Sequence, residues 1–248
     1  MSGHSKWASI KHKKGALDAK RGKIFSKISR EIIVAAKSGG GDPNTNIRLR
    51  LAISKAREAN MPSDNVERAI KRGTGELEGV NYEETAFEGY GPGGVAVYVQ
   101  CLTDNKNRAS AEVRNIFSKK DGNLAGAGSV AWLFEKKGLI IVDNKGTTED
   151  QLMDIVLEAG AEDIKNDGDA FSVITQPHDF ENVRKALNEK KITVKSAEIT
   201  MLAKNMVSVG EHAARKIFGL VEALEENDDV QNVYSNADLP DSVLKELG

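Results

Sequence analysis

The chain has 248 residues, of which 40% are hydrophobic and 29% charged, and four histidines and a single cysteine, Cys101. That length supports two or three domains with cores of their own. No apolar run approaches the roughly 20 residues needed to cross a bilayer, the N-terminal cations precede no apolar stretch of a secretory signal, and one cysteine makes no disulfide framework, so a cytoplasmic protein without a membrane role is expected. The formal charge of −2 conceals a sorted distribution: Met1 to Gly75 holds 17 Lys and Arg against 6 Asp and Glu, a net of +11, which leaves −13 on the remainder. Such sorting points to a polyanion-binding end on an acidic body.

Met1 to Arg30 is the densest part, with nine cations against Asp18 alone. Residues 1 to 15 show no sustained apolar period and read as an extended arm carrying Lys6, Trp7, Ile10, Lys11, His12, Lys13 and Lys14. From Ala16 to Lys37, Leu17, Ile24, Ile28, Ile32 and Ala35 recur at helical spacing, with Lys20, Arg21, Lys23, Lys27 and Arg30 beside them, and Gly39 to Gly41 closes the helix. A second helix is expected over Thr45 to Asn60, with Leu49, Ile53 and Ala56 inward and Pro62 as its stop; a third follows, capped by Ser63, carrying Val66 and Ile70 and ending at Gly73. Together they predict a small helical bundle.

Beyond Gly79 the period becomes alternating. Strands are expected at Glu84 to Tyr90 and Val95 to Thr103, joined by Gly91-Pro92-Gly93-Gly94, then a helix over Arg108 to Lys120 and a strand over Ser129 to Phe134. From Gly138 the pattern is strand 139–142, helix 149–159, strands 162–165 and 171–175, helix 179–188 and strand 193–201, a βαββαβ order of the ferredoxin-like kind. The last piece, strand 206–209, helix 211–226 and strand 230–234, is too small for its own core and is expected to return to the ββαβ sheet. The fold class is therefore α+β multidomain: an N-terminal three-helix domain (1–79), a discontinuous α+β domain (80–136 plus 204–248) and a ferredoxin-like domain (137–203) inserted into it.

The chemistry this sequence carries is electrostatic. Cations brought to a phosphate backbone release condensed counterions. A solvated helix face ordinarily mixes signs, and the near-absence of acids here favours binding. The candidate nucleic-acid-binding residues are Lys6, Trp7, Lys11, His12, Lys13, Lys14, Lys20, Arg21, Lys23 and Lys27. Trp7 is placed either to stack on a base or to pin the arm to the protein.

Other motifs read structurally. His4, His12, His178 and His212 lack companions at metal-ligand spacing, so no metal is expected. Gly91 to Gly94 precedes a strand rather than a helix, unlike a phosphate loop. Thr103 to Arg108 opens a helix, with Asp104 or Asn107 as its cap, or as an anion-attracting N-terminus. Glu83-Glu84 and Asp228-Asp229 read as solvated acidic pairs without acid/base geometry. Cys101 lies on the Val95, Val97 and Val99 side of its strand and reads as a core thiol. No nucleophile, base and oxyanion donor converge, so neither catalysis, a cofactor nor a small-molecule substrate is expected.

Several ordered blocks resemble the YebC/PmpR family: Gly3-His4-Ser5-Lys6-Trp7, Ile10 to Lys14, Arg21 to Lys27, Asn60-Met61-Pro62, Glu67 to Ile70, Tyr90 to Val95, Thr103-Asp104-Asn105, Asn107-Arg108 and Gly122-Asn123-Leu124. The resemblance spans nearly the whole chain. It implies three domains, the third inserted into the second, with no enzyme activity and no cofactor. It also implies a nucleic acid as partner, either promoter DNA for a transcriptional regulator or ribosomal RNA for a translation factor that relieves stalling. The acidic domains, from their charge, are expected to face a protein partner.

Overall fold

The computed structural model describes residues 18–168 and 170–247. Helices α1 (Asp18–Gly39), α2 (Ile47–Glu58) and α3 (Ser63–Thr74) form the bundle around Ile28, Ile32, Leu49, Ala52, Ala56 and Ala69. Leu17, expected in the α1 stripe, lies outside the described residues. The single stripe expected for α1 is too narrow: all residues from Ile32 to Ala36 are buried, because the helix is enclosed by the bundle and the rest of the molecule. Asn46 makes the α1–α2 corner rigid. Its side-chain oxygen accepts from the Leu49 N–H at 3.0 Å, capping α2, while its amide donates to the Ala35 and Gly40 carbonyls, both at 2.8 Å. Gly73, expected as the end of α3, lies inside that helix. A Cβ there would sit 2.5 Å from the Ile33 carbonyl oxygen, so the glycine permits close packing of α3 on α1, and Gly75 (φ 84°) ends the helix. Ser63 makes no cap; Pro62 takes that position.

Strands β1 (Glu83–Gly91) and β2 (Val95–Thr103) pair antiparallel in the expected hairpin, whose turn places Gly93 and Gly94 at positive φ. Helix α4 (Lys106–Lys119) follows, then the short β3 (Asn123–Ala125). The cap of α4 is neither Asp104 nor Asn107: the Asn105 side chain accepts from the Arg108 N–H at 3.1 Å.

The strand expected over Ser129 to Phe134 is replaced by a loop and a 3-10 turn, Ala131–Leu133, and Phe134 opens the ten-residue β4 (Phe134–Asp143). Val130, Trp132 and Phe134 imitate strand alternation, but the local N–H groups bond a carboxylate rather than a neighbouring strand. The buried Glu88 carboxylate accepts from the N–H groups of Gly128, Val130 and Ala131, each at 2.7 Å. Burial raises its pKa, but the three N–H bonds together outweigh that and hold it below the ordinary value of 4.5. The folded state therefore binds this proton more weakly than the unfolded chain does. The resulting stability is present above the ordinary carboxylate range and is lost as pH falls through and below it. Glu88→Gln, which turns an amide donor toward these donors, should destabilise the fold by about 2 kcal/mol in urea unfolding at neutral pH, with the gap to wild type closing on acidification.

After β4 come α5 (Glu149–Glu158), β5 (Ala161–Asn166), β6 (Ala170–Thr175), α6 (Phe180–Glu189) and β7 (Val194–Ala203). Their sheet has the order β5-β6-β4-β7, every neighbouring pair antiparallel, with Leu152, Val156, Phe180, Val183 and Leu187 of the two helices in its core. This is the ferredoxin-like arrangement. Then β8 (Val207–Ser208), α7 (Glu211–Glu225), β9 (Val230–Ser235), β10 (Ala237–Asp238) and α8 (Asp241–Leu247) complete the chain.

Strand β9 joins β2, giving the order β3-β1-β2-β9, and the core beneath holds Val95, Val97, Val99, Cys101, Val113, Phe117, Ile217, Leu220 and Leu224. Strand β8 pairs with β10 in a separate parallel pair. The two large sheets meet through Ala96, Tyr98, Val130, Phe134, Ala203 and Tyr234. The molecule is thus α+β, a helical domain followed by two further domains. Cys101 is in the core as its alternation predicts, and burial pushes its thiol up to about 12, with Asp229 adding and Lys27 opposing.

Candidate nucleic-acid interface

The geometry of the basic end begins with a need at the far end of the chain. A helix terminates in unpartnered carbonyls that carry partial negative charge. Helix α7 ends with no basic residue in its last turn and runs into Glu225, Glu226, Asp228 and Asp229. By itself that sets like charge against like.

Helix α1 supplies the missing cations. Lys23, Lys27 and Arg30 share one helical face by their spacing. Lys27 Nζ donates to the Glu225 carbonyl at 2.7 Å, Lys23 to the Glu226 carbonyl and Arg30 to the Asp228 carbonyl. Lys23 also pairs with the Asp228 carboxylate at 3.7 Å, and Arg30 lies over the Tyr82 ring, 5.3 Å from its centroid.

Asp229 is the centre of the contact. Expected as a solvated acid, it is 2% exposed. Its Oδ2 accepts from Arg108 Nη2 at 2.7 Å and from Thr103 Oγ1 at 3.0 Å, while Arg30 approaches Oδ1 at 3.4 Å. Arg108 also reaches Asp104 at 2.7 Å. Hydrogen bonds to Asp229 and then Asp104 raise the Arg108 pKa, and the bond from Arg108 lowers that of Asp104. The polar cluster Thr103 to Arg108 is therefore committed to an internal ion-pair network that joins the helical domain to the first sheet. Glu83 and Glu84, the other pair expected to be solvated, bind Lys106 at 2.7 Å and Arg48 respectively.

Of the ten candidate binding residues, Lys6, Trp7, Lys11, His12, Lys13 and Lys14 lie outside the described residues, and Lys20 and Arg21 lie in the first turn of α1. Lys23 and Lys27 are brought together on α7. Sequence reading passed over further exposed cations on the bundle: Arg57 on α2, and Arg68, Lys71 and Arg72 on α3. They were visible only as part of the +11. A cleft of about 330 Å³ between α2 and α6 gathers Arg50, Arg57 and Arg184 around Leu51, and Glu181 pairs with Arg184 at 2.8 Å. Among the described residues no group of three or more His, Cys, Asp and Glu is placed to hold a metal, and no helix is long and apolar enough to cross a membrane.

These features define a three-domain α+β protein whose basic helical end is clasped to an acidic body. Residues 5–76 match the TACO1/YebC protein N-terminal domain and residues 82–237 the TACO1/YebC second and third domain. The chain belongs to the TACO1/YebC family. It is similar, at 56% identity over 99% of both chains, to a protein of Natranaerobius thermophilus named "Probable transcriptional regulatory protein", and at 57% over the full length of both to one of the same name from Dictyoglomus turgidum. The crystal structure of a conserved hypothetical protein from Aquifex aeolicus superposes with a TM-score of 0.83 at 48% identity, covering 94% of this chain and 97% of that one.

Proposed function

We infer that the chain is a non-enzymatic, cytoplasmic nucleic-acid-binding regulator that acts in transcription by binding DNA; the relatives' names supply the regulatory role, and the charge of the helical end supports the binding. The observation that supports this most is the excess of cations at the helical end, 17 against 6 acids, on a body of opposite sign. Residues 1–79 are the binding domain on this reading. The acidic units, 80–136 plus 204–248 and 137–203, face protein partners.

The arm residues Lys6, Lys11, Lys13 and Lys14 are the principal phosphate contacts, with Trp7 and His12 among them and Lys20 and Arg21 extending the path. A grip on about five phosphates gives a slope of log K against log salt near −4 to −5 on duplex DNA. Fluorescence anisotropy across about 50 to 200 mM salt measures it, and a flat response overturns the reading. Ribosomal RNA is the second target, favoured by the exposed Trp132, a residue suited to unpaired bases. Co-sedimentation with ribosomes at moderate salt, alongside only non-specific promoter binding, selects it.

A further inference from the structure

The cleft between α2 and α6 is built by two domains. Pro43, Arg50, Leu51 and Arg57 come from the helical domain, Glu181 and Arg184 from the ferredoxin-like one. Leu51 packs against the cluster that holds Val156, Phe180 and Val183, so α2 is seated on the ferredoxin-like core and the walls of the cleft are set by apolar contact. Arg50, Ser54 and Arg57 stand at i, i+4 and i+7, which places them on one face of α2, the face that lines the cleft.

Three guanidiniums around one cavity repel each other and call for counter-charge. One acid lines the cleft with them, Glu181, and it is committed to Arg184, whose Nη2 donates to its Oε2 at 2.8 Å. Arg50 Nη1 donates to a neutral group, the Pro43 carbonyl, at 3.3 Å. Because Pro43 itself lines the cleft, that bond holds the Arg50 head group at its wall. Among the described residues, neither Arg50 nor Arg57 pairs with an acid. Two cationic forks are left unmatched.

A guanidinium presents parallel N–H donors that fit the oxygens of a phosphate or carboxylate. A carboxylate brings one charge, whereas a phosphate monoester brings up to about two negative charges and three terminal oxygens, which matches two forks on separate side chains. At about 330 Å³ the cleft is at the low end of small-ligand sites. We propose that Arg50, Arg57 and Arg184 form a binding site for a phosphate monoester, held between the helical and ferredoxin-like domains and separate from the basic arm. The group arrives on a free nucleotide or as the terminal phosphate of a nucleic-acid strand; only the second case rests on the nucleic-acid reading.

The test is isothermal titration calorimetry of the full chain with adenosine monophosphate and with adenosine at fixed ionic strength. Wild type is compared with Arg57→Gln and with Lys71→Gln, which removes a cation of α3 outside the cleft, and thermal unfolding checks each variant. Arg57→Gln should weaken binding of the nucleotide about tenfold, the loss of one charge-assisted hydrogen bond. Lys71→Gln should not, and adenosine should not bind. The source is read by anisotropy with a labelled 12-nucleotide RNA ending in a 5′-phosphate or a 5′-hydroxyl. Tighter binding of the phosphorylated strand, lost in Arg57→Gln, assigns the site to strand ends; nucleotide binding without that difference assigns it to a free nucleotide. Equal behaviour of Arg57→Gln and wild type toward the nucleotide and both strands overturns the site and leaves the proposed function standing. Equal losses of nucleotide binding in Arg57→Gln and Lys71→Gln overturn it too, because diffuse positive charge then accounts for the binding. Wild type that binds the nucleotide but neither RNA nor duplex DNA keeps the site and overturns the functional reading.

Discussion

Asp229→Ala should destabilise the protein by about 3 kcal/mol, measured by urea unfolding at neutral pH, an effect in the range of losing charged hydrogen bonds. The substitution removes one buried acceptor that serves Arg108, Thr103 and Arg30 together. Thr103 is fully buried, and its hydroxyl loses the Asp229 acceptor and falls back on the Asn105 carbonyl at 3.1 Å. Arg108 keeps Asp104, and its side chain has water available, so the loss stays well below that of a charge abandoned in an apolar interior. Asp229→Asn retains an acceptor for Thr103 but removes the charge, and should cost about half as much. Because Arg30 is on α1 and Arg108 on α4, the damage should also appear as looser docking of the helical domain. Faster amide exchange in Lys23 to Val34 than in the inserted domain would show it. Equal changes in both regions would instead mark Asp229 as a determinant of global stability alone.

The parts of this molecule legible in the sequence are those governed by near neighbours. Alternation at Val95, Val97, Val99 and Cys101 marks one strand face because that face packs on a single layer of helices. The helical period over Ala109, Val113 and Phe117 reads correctly for the same reason. The errors arise where a partner lies far away in the chain. Val130, Trp132 and Phe134 have the spacing of a strand, yet Glu88, more than forty residues earlier, takes the backbone donors and folds a turn. Asp229 reads as solvated beside Asp228, and only the approach of Arg108 and Arg30 makes its burial possible. Gly73 reads as a helix stop because glycine commonly is one, but what fixes it is the Ile33 carbonyl of another helix.

The charge on α1 shows the same limit in a form that matters for function. Lys11, Lys13, Lys14, Lys23 and Lys27 are equivalent members of a basic run, and the structure gives the last two a specific task at the carboxyl end of α7. Two triplets of substitutions should therefore separate. Changing Lys11, Lys13 and Lys14 to Ala should reduce the salt slope of nucleic-acid binding by about 3, one unit for each phosphate no longer neutralised, and weaken binding to many sequences alike because cations on phosphates hold register without reading bases. Changing Lys23, Lys27 and Arg30 to Ala should leave most of the slope in place and remove the cations that offset the α7 dipole and its carboxylates. Helix-end cations contribute up to about 1 kcal/mol each, so that variant should unfold at lower urea and show the helical domain released from the body. A slope reduced equally by both triplets would mean that nucleic acid displaces α7 from α1, so that binding and opening of the clasp are one event. The acidic end of α7 would then occupy, in the free protein, the place a phosphate chain takes in the complex.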